Sequence, residues 1–412
     1  MDRTILHCDC NGFYASVECA LHPQYRNVPM AVCGDPESRH GIILAKNELA
    51  KAYGIKTAET VWQAKRKCPD LVLAPSHHDL YRQFSQQINA IYQQYTDLVE
   101  PFSIDESWLD VGGSYRLFGS GEKIADELRR RIRQEVKVTI SVGVSFNKVF
   151  AKLGSDYKKP DATTVITRQN YTRLLWPLPA ERMLFIGQVA AGKLARAGIH
   201  TIGDLARADD WLLQRLLGKG GLTAKIYAQG LDDSPVRRFD EQREVKSVGN
   251  SITFRRNLVG QRDIRAGVLS LCDTVAARLR AHKLYCQTVQ VQIKSPDLRV
   301  ISRQQGLSRS TNLARELFCA AMAIIERSWD MKKPIRMLTV TGTALTDQDT
   351  GEQLRLDVPS STPDHERQQK LEQALDAIRQ RYGSDSVGFG SLIESDIFHR
   401  RPDEIEPGGD RE

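Results

Sequence analysis

The hydrophobic pattern changes period several times along the chain, and each change marks an expected element. An apolar run over 5–8, closing on Asp9, reads as a short strand, and a helical stretch follows from Phe13 to about Leu21. Segments 98–103 and 107–111 read as a hairpin-like pair, followed by a helix over 122–135. Over 138–144 the run Val-Thr-Ile-Ser-Val-Gly-Val is β-branched at alternate positions, as strands are. The first 165 residues are therefore expected to be mixed α/β.

From about 170 to 230 the pattern turns helical, with short loops and glycine punctuation. Phe185-Ile186-Gly187 and Gly198-Ile199-His200-Thr201-Ile202-Gly203 resemble a helix-hairpin-helix element. Such an element offers backbone N–H groups of a glycine turn and a helix N-terminus to a DNA phosphate. A plain helical hairpin capped by glycines carries the same signature. A charged connector, 237–246, comes next. Segments 248–254, 288–293, 299–303 and 336–343 then read as strands, and 262–281 and 312–329 as helices. The first of these helices sets Ile264, Val268, Leu271, Val275 and Leu279 on one face. A β-α-β-β-α-β order suits a ferredoxin-like domain with both helices on one sheet face, leaving the other to carry arginines. After 346 the chain turns polar and acidic. One amphipathic helix is expected around Leu371, Leu375, Ile378 and Tyr382, and disorder over the final dozen residues.

Length changes the picture little: 412 residues exceed one hydrophobic core and imply about two to four domains. No apolar run reaches the ~18 residues a membrane span needs, and the N-terminus has no signal-peptide pattern. Eight scattered cysteines form no disulfide framework, so a cytoplasmic home is expected. Charge is more telling. Residues 236–340 hold 20 Lys/Arg against 9 Asp/Glu, whereas 341–412 hold 8 against 16. A basic segment beside an acidic tail fits a polyanion-binding module or, more plainly, a solvated basic face.

The candidate chemistry lies in three acids. Asp9 ends an apolar strand, and Asp105-Glu106 sit between two strand-like segments. Carboxylates near a core are costly unless something compensates them. Divalent cations do so, and two ions about 3.5–4 Å apart can activate a hydroxyl and neutralise a leaving group. Adjacent strand residues point to opposite faces, so Asp105 and Glu106 share a site only if the chain bends there. Turn capping or pairing with arginines is the competing role for the same acids.

Five motifs resemble the Y-family DNA polymerases, in the DNA polymerase IV-like branch. They are His7-Cys8-Asp9-Cys10-Asn11-Gly12-Phe13-Tyr14-Ala15-Ser16-Val17-Glu18, Ser103-Ile104-Asp105-Glu106-Ser107, Ser141-Val142-Gly143-Val144-Ser145-Phe146-Asn147-Lys148, Asp156-Tyr157-Lys158-Lys159-Pro160-Asp161 and Lys246-Ser247-Val248-Gly249-Asn250-Ser251. The resemblance implies an α+β multidomain right-hand polymerase with palm, fingers, helical thumb and ferredoxin-like little finger. The implied boundaries are palm 1–11 and 78–167, fingers 12–77, thumb 168–235, linker 236–246, little finger 247–346 and tail 347–412. It further implies a low-fidelity translesion polymerase without proofreading, acting on primer-template DNA with deoxynucleoside triphosphates.

Carried over by position, Asp9, Asp105 and Glu106 become ligands of two Mg²⁺ ions, with Mn²⁺ also fitting oxygen donors. Tyr14 falls at the steric gate that excludes a ribose 2′-hydroxyl, beside Phe13. Lys159 would meet the triphosphate, as would Lys51. Many relatives have a Tyr and an Arg where this chain has Glu48 and Lys51, and Asn11 replaces an acid two positions after Asp9. Gly187, Gly198, Lys246, Arg255, Arg256 and Arg303 are the DNA-contact candidates. Gln353, Leu354 and Leu356 stand where relatives carry a sliding-clamp peptide, although Asp357 replaces its usual closing aromatic. A monomer is expected. The competing reading is a catalytically weak polymerase-fold scaffold that binds DNA and the clamp.

Overall fold

The computed structural model describes residues 3–34, 41–241, 244–347, 362–383, 386–392 and 396–398. The chain divides near residue 242 into two compact units.

The first unit is built on a five-stranded sheet. Its order is Val99–Pro101, Glu106–Asp110, Ile5–Cys10, Ile140–Ser145 and Thr163–Val165. Every residue of the central strand Ile5–Cys10 is buried. Period-2 alternation divides it: Leu6, Cys8 and Cys10 enter the core shared with Ile124, Leu128 and Ile132 of helix Gly121–Glu135. Ile5 joins Trp108 and Ala151 on the other face, which leaves His7 and Asp9 on that second face too. Helix Lys148–Tyr157 covers it, and Gly143 makes the approach close: a Cβ there would lie 1.9 Å from the Ala151 carbonyl oxygen. Asn147 starts this helix by accepting the Phe150 N–H at 2.7 Å.

A smaller sheet, Ile43–Lys46, Met30–Cys33 and Val72–Pro75, has its own core with helices Glu48–Ala52 and Val61–Lys67. Thr60 and Gln63 form a capping box on the second helix. Residues 171–228 are helical, as the glycine-punctuated pattern predicts, and pack around Leu175, Leu194, Ile202, Leu205 and Leu213 with Phe146 and Phe150.

The second unit has the expected β-α-β-β-α-β order, with strands longer than the sequence suggests: Ser247–Leu258, Tyr285–Lys294, Val300–Thr311 and Ile335–Thr346. The sheet runs third, second, fourth, first, all antiparallel, so each β-α-β crossover is split by another strand. Helices Gly260–Ala281 and Ala314–Ser328 cover one face. The opposite face differs from expectation. Cross-strand register fills its centre with Ser251, Thr339, Gln292 and Ser302, then Thr341, Gln290 and Gln304, and of the candidate arginines Arg255 alone emerges on this side.

The tail also differs. Helix Thr362–Tyr382 docks through its charged side: Arg280 grips Asp376 at 2.6 Å and Glu372, and Arg379 meets Asp273 at 2.9 Å. Of the four residues of the expected apolar face, Leu371, Ile378 and Tyr382 are exposed and Leu375 is half-buried. The Arg280 side chain is 8% exposed, so without these carboxylates its charge would be left desolvated and unpaired. Ile397 plugs the same core, and its carbonyl accepts the Arg255 N–H at 3.0 Å. The clamp-peptide candidates Gln353, Leu354 and Leu356, and the final dozen residues, lie outside the described residues.

Candidate active site

Antiparallel register sets Asp9 directly opposite Glu106 on one neighbour and Ser141 on the other. Directly paired residues share a face, so both carboxylates emerge on the side of helix Lys148–Tyr157. Residues 103–105 form a bend before strand Glu106–Asp110, with the Phe102 N–H donating to the Glu106 carbonyl at 2.8 Å. That bend is what the adjacent acids need: Asp9, Asp105 and Glu106 all line one cleft of about 440 Å³.

The cluster is tight. Ligand atoms of His7, Asp9 and Glu106 lie within 4.8 Å of one another. Asp105 sits beside them, its Oδ1 accepting the Ser103 hydroxyl at 2.6 Å. Lys159 Nζ is 2.7 Å from both Asp9 Oδ2 and Asp156 Oδ1, and Lys152 pairs with Glu106. Burial pushes the Asp9 carboxyl up to about 6, against the pull of Lys159. Burial raises Asp105 as well, with Glu106 adding repulsion. Burial acts on Glu106 in the same direction but is overridden by His7 and Lys152, leaving it at about 2. Crowded, desolvated carboxylates answered by ammonium groups are a donor set suited to a hard divalent cation, which supplies the same compensation.

His7 is a site residue that reading the sequence missed. It is fully buried, with Nδ1 2.8 Å from Ser155 Oγ and Nε2 3.1 Å from Glu106 Oε2, though not well aligned for a hydrogen bond. Burial lowers its pKa to about 4, so it is neutral and leaves the charge of Glu106 intact. Its signal was available: on a period-2 strand, position 7 shares the face of Asp9. Lys152 was missed too.

Tyr14 lines the cleft, with Phe13 buried beneath. Its ring stacks on Tyr81 at 4.1 Å and 13°, and His78 meets it edge-on at 5.7 Å. Tyr81 donates at 2.6 Å to Glu18, a buried carboxylate also 2.8 Å from His77 Nδ1. No local pattern announces this support, because Tyr81 arrives from helix His78–Tyr92.

Other candidates lie elsewhere. Lys51 is exposed and 3.3 Å from Glu48, and neither lines the cleft; Lys46 and Thr57 do. Asn11 is structural: it donates to Ser141 Oγ at 2.9 Å and accepts the Asp161 N–H at 2.9 Å. Gly187 caps helix Gln188–Arg196, and Gly198 follows that helix at φ 79°, both with open space where a side chain would stand.

In the second unit Lys246 and Arg255 are exposed. Arg256 is committed to Asp263 and to Asp396, the latter at 2.7 Å. Arg303 pairs in register with buried Val291, which puts it on the helix-covered side of an edge strand.

Comparison with known proteins agrees across the whole chain. The family described as impB/mucB/samB matches residues 8–156, and its C-terminal domain matches 245–356. DNA polymerase IV of Acetivibrio thermocellus is 48% identical over 403 residues, covering 97% of this chain and 100% of that protein. DNA polymerase IV 1 of Bacillus subtilis is 35% identical over 396 residues, covering 96% and 94%. A solved Y-family DNA polymerase chimera aligns with TM-score 0.73 and 25% identity, over 83% of this chain and 98% of that one.

Proposed function

The chain belongs to the Y family of DNA polymerases, within the impB/mucB/samB family, and from that premise we propose how its own residues carry the reaction. It is a DNA-directed DNA polymerase of the translesion kind. The primer 3′-oxygen attacks the α-phosphorus of a deoxynucleoside triphosphate, the bond to the β-phosphate breaks, and pyrophosphate leaves.

Asp9, Asp105 and Glu106 are the residues that would hold two Mg²⁺ ions. When bound, these supply Lewis-acid stabilisation of the attacking and leaving oxygens. The observation that carries this reading is the register pairing of Asp9 with Glu106, with Asp105 in the same cleft. Lys159, between Asp9 and Asp156, is placed to meet triphosphate oxygens. Tyr14 presents its ring to the sugar and excludes a 2′-hydroxyl.

A scaffold has no use for a cluster of buried, mutually repelling carboxylates, so the non-catalytic alternative is disfavoured. The domain boundaries proposed are palm 1–11 and 78–167, fingers 12–77, thumb 168–235 and little finger 247–346. Partners proposed are primer-template DNA, and a sliding clamp through Gln353, Leu354 and Leu356. A monomer in the bacterial cytoplasm is the proposed state, in keeping with cysteines not joined in disulfides and with bacterial relatives. Among the described residues no helix is long and apolar enough to cross a membrane.

The deciding experiment extends a labelled primer on plain and abasic templates, with and without Mg²⁺. Metal-dependent templated addition by the natural chain and its loss in Asp105→Ala is the expected result. Equal extension by both proteins would remove the acids from catalysis.

A further inference from the structure

Three lysines surround the acidic cleft of the first unit, and their partners differ. Lys152 is paired with Glu106, and Lys159 with Asp9 and Asp156. Lys46 lines the cleft alongside Tyr14 and Asp105, yet its ammonium donates only to a neutral group, Thr57 Oγ1, at 3.1 Å. Among the described residues it forms no ion pair. Glu59 and Glu48 pull on it only from a distance, and each is taken by another lysine, Glu59 by Lys67 at 2.5 Å and Glu48 by Lys51 at 3.3 Å. Burial and the neighbouring Lys51 lower the Lys46 pKa, as expected of a cation that lacks a compensating carboxylate.

Local structure explains why this residue and not its neighbours faces the acids. Lys46 is the last residue of strand Ile43–Lys46, and Asn47 caps the next helix by accepting the Ala50 N–H at 2.9 Å. The strand-to-helix corner turns Glu48 and Lys51 to solvent, where they pair with each other. Gly12 closes the other side: at φ 54°, a Cβ would lie 3.0 Å from the Lys46 carbonyl oxygen. The chain at Lys46 is therefore pressed against the turn that leads into Phe13 and Tyr14.

We infer that Lys46, steadied by the Thr57 hydroxyl, is the cation that meets the incoming nucleotide's phosphates on the Ile43–Lys46 side of the cleft, whereas Glu48 and Lys51 pair with each other away from it. An incoming triphosphate is a polyanion entering a cleft already lined by three acids. It needs a positive group whose charge is not already spent, and a lysine with a hydroxyl beside it offers a point charge plus a second donor. The inference rests on the reading of this cleft as the nucleotide site.

The test measures correct-nucleotide KM and kcat by single-nucleotide primer extension, and nucleotide affinity on a dideoxy-terminated primer with Ca²⁺, which reads binding without chemistry. Lys46→Ala is expected to raise KM and the dissociation constant about 10- to 100-fold, the loss of one charge-assisted contact, while kcat falls much less. Thr57→Val is expected to raise KM less than Lys46→Ala does, and Lys46→Arg to restore part of the loss. Lys51→Ala is expected to raise KM by less than about threefold, as suits an exposed charge. Affinity for primer-template DNA, measured in parallel, should stay at the natural value in Lys46→Ala, which separates this role from a folding defect. A Lys46→Ala protein with natural KM and nucleotide affinity, or a Lys51→Ala loss larger than the Lys46→Ala loss, overturns the assignment alone. A natural chain that extends no primer overturns the cleft reading and this assignment together.

Discussion

Asp9 and Glu106 stand as direct partners across two antiparallel strands, on the face covered by helix Lys148–Tyr157, and each carboxylate is met by a lysine: Lys159 on Asp9 at 2.7 Å and Lys152 on Glu106. Both lysines come from the segment after strand Ile140–Ser145, so acids and their compensating charges are brought together by one sheet. Replacing an acid by its amide keeps the shape and removes the charge. Asp9→Asn and Glu106→Gln are expected to lose more than about 100-fold in primer extension, beyond what outer residues around a metal usually cost. Thermal unfolding should be near natural or higher in Asp9→Asn, whose charge burial penalises, and lower in Glu106→Gln, which leaves Lys152 without its carboxylate. Extension at natural rates in either amide variant would be the contrary result.

Tyr14 is held from behind by Tyr81, stacked at 4.1 Å, and Tyr81 in turn by the buried Glu18. In the gate role proposed for Tyr14, this stacking would brace the ring against a larger sugar. Tyr14→Ala should therefore raise ribonucleotide incorporation about 10²-fold or more relative to deoxynucleotide incorporation, since exclusion works by a clash. The ratio of kcat/KM for the two sugars measures it. An unchanged ratio would assign the gate to another residue.

Much of this arrangement was legible in the sequence, for definite reasons. The strand ending at Asp9 was visible because an apolar run meets an acid, and the helix from Phe13 because the period changes. His7 was equally legible by strand parity, yet a lone histidine in an apolar run reads first as core. Tyr81, Thr57 and Lys46 were not legible as site residues, since only the fold brings them to the cleft. Helix Thr362–Tyr382 was legible as a helix and misleading about its face. Three of the four apolar residues expected to form its apolar face stay exposed, and its docked side instead carries the acids that meet Arg280 and the arginine that meets Asp273. Pattern reports what a helix could bury, not which partners await it.

Glu100 makes a pH prediction. It is 4% exposed and holds Lys148 at 2.7 Å, the Arg237 guanidinium at 2.9 Å and the Arg237 N–H at 3.1 Å. Burial would raise its pKa, but these donors override burial and hold it below the ordinary range. A depressed carboxylate stabilises the fold above its unfolded pKa of about 4.3, and that stabilisation is lost as pH falls through the folded value. Glu100→Gln should cost about 2–3 kcal/mol at pH 7, the worth of charged hydrogen bonds. Denaturant unfolding at pH 7 and near pH 3 should show the gap between natural and variant proteins narrowing at the lower pH. A gap of constant size would mean the effect is packing, not charge.

Arg255 and Arg256 are neighbours in sequence with opposite environments, and they should separate cleanly in experiment. Arg255 is exposed on the outer side of its strand, whereas Arg256 turns inward to Asp263 at the start of helix Gly260–Ala281 and to Asp396. An arginine whose guanidinium already holds two carboxylates has little charge left for a phosphate. Arg255→Ala is expected to weaken primer-template binding at all sequences and to reduce the slope of log K against log salt by about one, as one phosphate contact requires. Arg256→Ala should leave that slope intact and instead lower thermal stability, because Asp263 and Asp396 then face each other without their shared cation. The reverse outcome, a salt-slope change in Arg256→Ala alone, would mean that DNA draws Arg256 away from its acids.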